Sequence, residues 1–119
     1  MHIELRSHTI ELTPELRETL TRRAEFALDR FADRIARVTV WLADVNGPKG
    51  GLANECNVAV DLRGRGGVFI REIHENAQQA GSRALERSGR AVARELGKLG
   101  KRSGNDRASL RYEAIQEPA

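Results

Sequence analysis

Glu55-Cys56-Asn57-Val58-Ala59-Val60-Asp61-Leu62 is followed by a turn at Arg63-Gly64-Arg65-Gly66-Gly67 and then by Val68-Phe69-Ile70-Arg71-Glu72-Ile73. Both runs alternate apolar and polar residues, the period of a strand with one buried face, which turns Cys56, Val58, Val60 and Leu62 inward. From about Asn76 to about Leu99 the period lengthens to that of a helix. Upstream, Ile35 to Val45 alternates in the same way, with Val38, Val40 and Leu42 on one face and Arg37, Thr39 and Trp41 on the other. The three runs predict a meander closed by a helix.

Further upstream, His2 to His8 places Ile3 and Leu5 opposite His2, Glu4 and Arg6, a first strand. Thr13-Pro14-Glu15 starts a helix: Thr caps free amides, Pro suits the first turn and Glu favours the positive dipole end. Leu16, Leu20, Ala24, Ala27, Leu28 and Phe31 then fall within an arc of about 120°. The opposite face mixes Glu18, Arg22, Glu25 and Asp29, as a solvated surface does. The order is β-α-β-β-β-α, an α+β fold in which one helical layer covers one four-stranded sheet. Residues 1–100 form the expected domain. The segment 101–119 lacks a clear period and is expected to be a mobile tail.

At 119 residues the chain accommodates one core, and 39% hydrophobic with 31% charged residues argues against disorder. No apolar run nears the ~20 residues of a membrane helix. Met1-His2-Ile3-Glu4-Leu5-Arg6 lacks the order of a signal peptide, so a cytoplasmic location without membrane contact is expected. Cys56, the single cysteine, forbids an internal disulfide framework and reads as a small buried hydrophobe. His2, His8 and His74 show no metal-ligand spacing, and Asn46-Gly47-Pro48-Lys49-Gly50-Gly51 lacks the order of a phosphate-binding loop. No metal, cofactor or small-molecule substrate is expected. No nucleophile–base arrangement or close carboxylate pair is suggested, which argues against an enzyme.

The positive charge has a location. Between Arg83 and Arg102 lie seven basic residues (Arg83, Arg87, Arg90, Arg94, Lys98, Lys101, Arg102) and two acidic ones (Glu86, Glu95), a net +5. The chain totals +3, so the remainder sums to −2. On a helical wheel Gly81, Leu85, Ser88, Val92, Leu96 and Leu99 share an arc of about 80°. Arg83, Arg87, Arg90, Arg94, Lys98 and Lys101 share another of about 80° on the opposite side. Like charges at this spacing repel by a few tenths of a kcal/mol per pair, so solubility alone would interleave the signs. A cation row about 27 Å long can instead follow a nucleic-acid backbone. These residue types leave RNA, DNA and an acidic protein open as partners. Trp41, on the sheet face away from the helices, is a further possible stacking platform.

Three stretches resemble a known family. Glu11-Leu12-Thr13-Pro14-Glu15-Leu16-Arg17-Glu18, Asp33-Arg34-Ile35-Ala36-Arg37-Val38-Thr39-Val40 and Gly89-Arg90-Ala91-Val92-Ala93-Arg94-Glu95-Leu96 are similar to the hibernation-promoting factor and ribosome-associated inhibitor family. The resemblance implies a fold similar to the double-stranded-RNA-binding domain. It also implies binding in the small ribosomal subunit, on ribosomal RNA, where mRNA and tRNA would lie. Arg90, Arg94 and Lys98 match the family's basic positions, while Arg83, Arg87 and Lys101 come from the wheel. On this resemblance the chain is expected to be one of the short forms, without the second, dimerising domain of the family's long form. It departs from the family at Ala77-Gln78-Gln79-Ala80-Gly81-Ser82, where members carry an aromatic and an acid. It departs again at Asn54-Glu55-Cys56-Asn57, where members are often basic.

The expected function is therefore translational silencing by occlusion, as in ribosome hibernation. The alternatives are an interaction protein whose basic helix meets an acidic protein, and a general RNA binder that reads helix shape. Self-association is left open.

Overall fold

The computed structural model describes residues 1–46, 51–64 and 66–109, and the side chains of these apart from residues 46 and 99–109. The glycine-rich loop at 47–50, the turn residue Arg65, the side chains of Leu99 and Lys101, and residues 110–119 lie outside the described residues.

The elements follow the expected order: β1 (His2–His8), α1 (Pro14–Leu28), a 3-10 turn (Asp29–Arg34), β2 (Ile35–Asn46), β3 (Leu52–Leu62), β4 (Gly67–His74) and α2 (Ala77–Ser109). The sheet runs β1-β2-β3-β4. β2, β3 and β4 form the antiparallel meander, and β1 adds to β2 in parallel. That parallel pair requires a crossover, which α1 supplies.

Register explains why one sheet face is dry. Val38 pairs with Val60, Val40 with Val58 and Leu42 with Cys56, so every inward residue of β2 meets one of β3. Ile3 and Leu5 extend these rows into β1, and Val68 and Ile70 extend them into β4. The row through Leu42 and Cys56 ends on an acid, Glu72. Above the rows lie Leu20, Ala24 and Leu28 of α1 and Ala80, Ala84, Leu85, Ser88 and Val92 of α2, all fully buried. Truncating a side chain such as Leu85 to Ala in such a core costs about 2–5 kcal/mol.

Both helices are capped from the sequence. Thr13 Oγ1 accepts from the Leu16 amide at 3.1 Å, and Asn76 Oδ1 from the Gln79 amide at 3.0 Å. Where α1 meets α2, Gly81 lies against Leu20 and Gly89 against the backbone carbonyl of Ala27. A Cβ on Gly89 would sit 2.8 Å from that oxygen, so the missing side chain sets how closely the helices approach.

The structure departs from the sequence reading at two helix ends. The apolar stripe carries α1 to Phe31, yet the α-helix stops at Leu28 and Phe31 packs against the core from the 3-10 turn. α2 continues to Ser109, past the end near Leu99 that Gly100 and Ser103-Gly104-Asn105 suggest. Extending an existing helix costs far less than starting one, so isolated glycines need not end it.

Candidate functional site

The Asn76 cap and the buried stripe fix the rotation of α2, and with it the cation face. Leu85, Ser88 and Val92 are fully buried, while Arg83, Arg87, Arg90, Arg94 and Lys98 are exposed, as the wheel requires. The five described cations are not equivalent. Arg83 and Arg94 make no ion pair among the described residues. Arg90 lies 3.3 Å from Glu86 and Lys98 lies 3.9 Å from Glu95, loose pairs on opposite flanks of the cation row. Such pairs contribute at most a few tenths of a kcal/mol and yield readily to a phosphate.

Arg87 is held differently. Its Nη1 donates to the Glu72 carboxylate at 2.6 Å and to the Arg71 carbonyl at 3.0 Å, both on β4. The Glu72 side chain is only 20% exposed, so this contact neutralises an acid that the sheet register turns toward the helices. The wheel gives the angle of Arg87 about its helix but not the neighbour that takes up its charge.

The open sheet face also carries arginines and aromatics, but its charge is settled internally. Glu4 binds Arg6 at 2.7 Å and lies 3.7 Å from Arg37, and Glu55 binds Arg71. The hydrogen bond from Arg6, with the charges of Arg6 and Arg37, holds the Glu4 carboxyl below its usual range against a smaller opposing effect of desolvation. The Arg6 guanidinium also lies 6.0 Å from the Trp41 ring centre, and Phe69 of β4 is exposed on the same face. Trp41 is on the face the alternation assigns it. A surface with paired signs is a poorer phosphate track than the outer side of α2.

A solved structure with this architecture is the Protein Y N-terminal domain from Thermus thermophilus. It is 26% identical, with 79% of this chain and 98% of that chain covered at a TM-score of 0.64. A ribosomal subunit interface protein from Coxiella burnetii is 15% identical, with coverages of 82% and 99% and a TM-score of 0.66, a likeness of fold. The model of the sigma 54 modulation protein / S30EA ribosomal protein family matches residues 3–100. The chain belongs to this family. A comparison with curated protein sequences finds no match.

For an S30EA family member, the rest of the surface is as informative as the basic face. Cys56 is buried, and its thiol is pushed up to about 12, first by desolvation and then by the charges of Glu72 and Glu55. A thiol so placed is not a nucleophile near neutral pH. Among the described residues no three His, Cys, Asp or Glu side chains come together as metal ligands, and no helix is long and apolar enough to cross a membrane. Sequence reasoning missed Phe26, an exposed aromatic on α1, with Arg23 and Arg30 beside it. The available signal was its place on the wheel: at 100° per residue Phe26 lies some 160° from Ala24 and points away from the stripe.

Proposed function

We propose that this S30EA family member binds the small ribosomal subunit through ribosomal RNA and silences translation by occupying the channel that mRNA and tRNA must use. Arg83, Arg90, Arg94 and Lys98 hold phosphates, with Lys101 continuing the row. Arg87 joins only by leaving Glu72. The observation that carries this reading is the division of α2 into a fully buried side and a side of unburied cations, two of them without ion partners among the described residues. Family membership supports a ribosomal target for the row, and the proposal takes that target to be ribosomal RNA in the cytoplasm.

The mechanism requires no chemistry. Phosphate contacts position the domain without reading sequence, and its volume excludes the competing ligands. Inhibition is then stoichiometric. Titrated into a reconstituted translation system, the protein should saturate its effect near one copy per ribosome, and excess initiation components should relieve it. A high-salt wash should strip the ionic contacts and restore activity. Inactivation that persists after the wash, or that a trace of protein brings to completion, would overturn the occlusion mechanism.

A further inference from the structure

Between α1 and α2 runs a groove of about 420 Å³, lined by Arg23, Phe26, Ala27 and Arg30 on one wall and Ser82, Glu86, Gly89 and Arg90 on the other. The sequence builds it in two steps. Residues 23, 26 and 27 form one flank of α1, and Arg30 continues that wall from the 3-10 turn that follows. Gly89, with no side chain to hold the helices apart, brings α2 against the Ala27 carbonyl and leaves the groove a floor of small residues.

The chemistry of the walls is specific. Phe26 is 88% exposed, and the fold covers little of its ring. A single exposed apolar residue needs no explanation of its own. This one stands among three guanidinium groups, with a single carboxylate on the opposite wall. Arg30 is already placed over an aromatic ring, 4.6 Å from the centre of Phe31, which leaves its edge donors for a ligand. Arg90 belongs both to this groove and to the outer face of α2, so the groove continues the proposed phosphate row.

The geometry points to this groove as a site for one unpaired RNA nucleotide, an inference that rests on the RNA-binding reading of α2. The base stacks on Phe26, and Arg23, Arg30 and Arg90 take the flanking phosphates. Glu86 offers an acceptor to a base amino group or a ribose hydroxyl. The volume falls within the ~300–1,000 Å³ of small-ligand sites. A duplex does not fit, because its bases are stacked on one another and present no free ring face. An acidic peptide would satisfy the arginines but leave Phe26 without its stacking partner, and RNA supplies both.

The test uses the full chain and a single-stranded RNA ten-mer with 2-aminopurine at its centre, whose fluorescence is quenched on stacking. Quenching is expected with the single strand and not after annealing to its complement. Phe26→Leu should remove the quenching and weaken binding roughly 5- to 150-fold, the range for loss of one base–aromatic stack. Phe26→Trp should retain both, Arg23→Gln should weaken binding, and Phe69→Leu, at an exposed aromatic on the open sheet face, should change nothing. Equal binding by Phe26→Leu and wild type, equal quenching with the duplex, or displacement of the RNA by oligoglutamate at matched charge would each overturn the proposal. Cosedimentation with small subunits separates it from the ribosomal reading. If Arg94→Gln loses the subunit while Phe26→Leu binds RNA as wild type does, the groove fails and the reading stands. If the wild type ignores subunits yet quenches the single strand through Phe26, the reading fails and the groove stands.

Discussion

Replacing Arg94 with Gln should change how salt weakens binding to the small subunit, and by a calculable amount. Each cation that sets down on a phosphate releases bound counterion and adds about 0.7–0.9 to the slope of log affinity against log salt. Counting only Arg83, Arg90, Arg94 and Lys98, whose exposed side chains are described, and leaving out Lys101, the row supplies four such cations and a lower bound on the slope. A slope of roughly −2.8 to −3.6 follows, a loss of about 50- to 150-fold between 50 and 200 mM salt. Arg94→Gln should reduce the slope by about 0.7–0.9. Arg87→Gln makes a different prediction, because its charge is already spent on Glu72. The slope should hardly move, while unfolding becomes easier by about 1 kcal/mol, a figure discounted for the exposure of Arg87. The assay is cosedimentation or fluorescence titration with purified small subunits across a potassium chloride series at fixed magnesium, alongside urea denaturation of each variant. A wild-type slope shallower than −1, or equal reductions from the two variants, would refute the assignment of separate roles.

Gly89→Ala should lower the urea midpoint, since its methyl group meets the Ala27 carbonyl, whereas Gly97→Ala, with nothing within 4 Å, should raise stability by about 0.8–1 kcal/mol. Thr13→Ala and Asn76→Ala each remove a cap and should cost about 1 kcal/mol in the same measurement. Because Cys56 is raised in the folded state from 9.0 to about 12, the unfolded chain loses this proton first as pH rises. The stabilising difference is complete below pH 9 and should shrink by about 1.4 kcal/mol per pH unit above it. Chemical denaturation at pH 8 and at pH 10.5 should therefore show a steeper decline for wild type than for Cys56→Ala, and parallel declines would show that the thiol is not desolvated.

The sheet was legible because its signal is local and redundant. Alternation in β2, β3 and β4 fixes which face each residue takes, and the register Val38–Val60 and Val40–Val58 then follows from matching apolar rows. The cation face was legible for the same reason: a wheel needs no tertiary information. What it cannot supply is the neighbour of each cation. Arg87 and Arg90 sit three residues apart on one arc, yet one is taken up by β4 and the other opens onto a groove. That distinction depends on which flank of α2 lies over β4 and which lies against α1, a property of docking. Phe26 went unread because an aromatic off the stripe is silent until its surroundings are known. The end of α2 lies beyond the glycines and serine near residue 100 because such residues do not stop a helix that is already under way.

The contact between Arg87 and β4 has a consequence for how this chain behaves in company. β4 is the last strand of the sheet, and a strand with no neighbour on one side is a template on which another chain can pair. Arg87 lays a charged group along that edge and occupies a backbone oxygen of Arg71. An incoming strand would have to displace the guanidinium and leave Glu72 without its partner. The residue that serves RNA least would then guard one of the sheet's two outer strands, β4, against pairing with another copy.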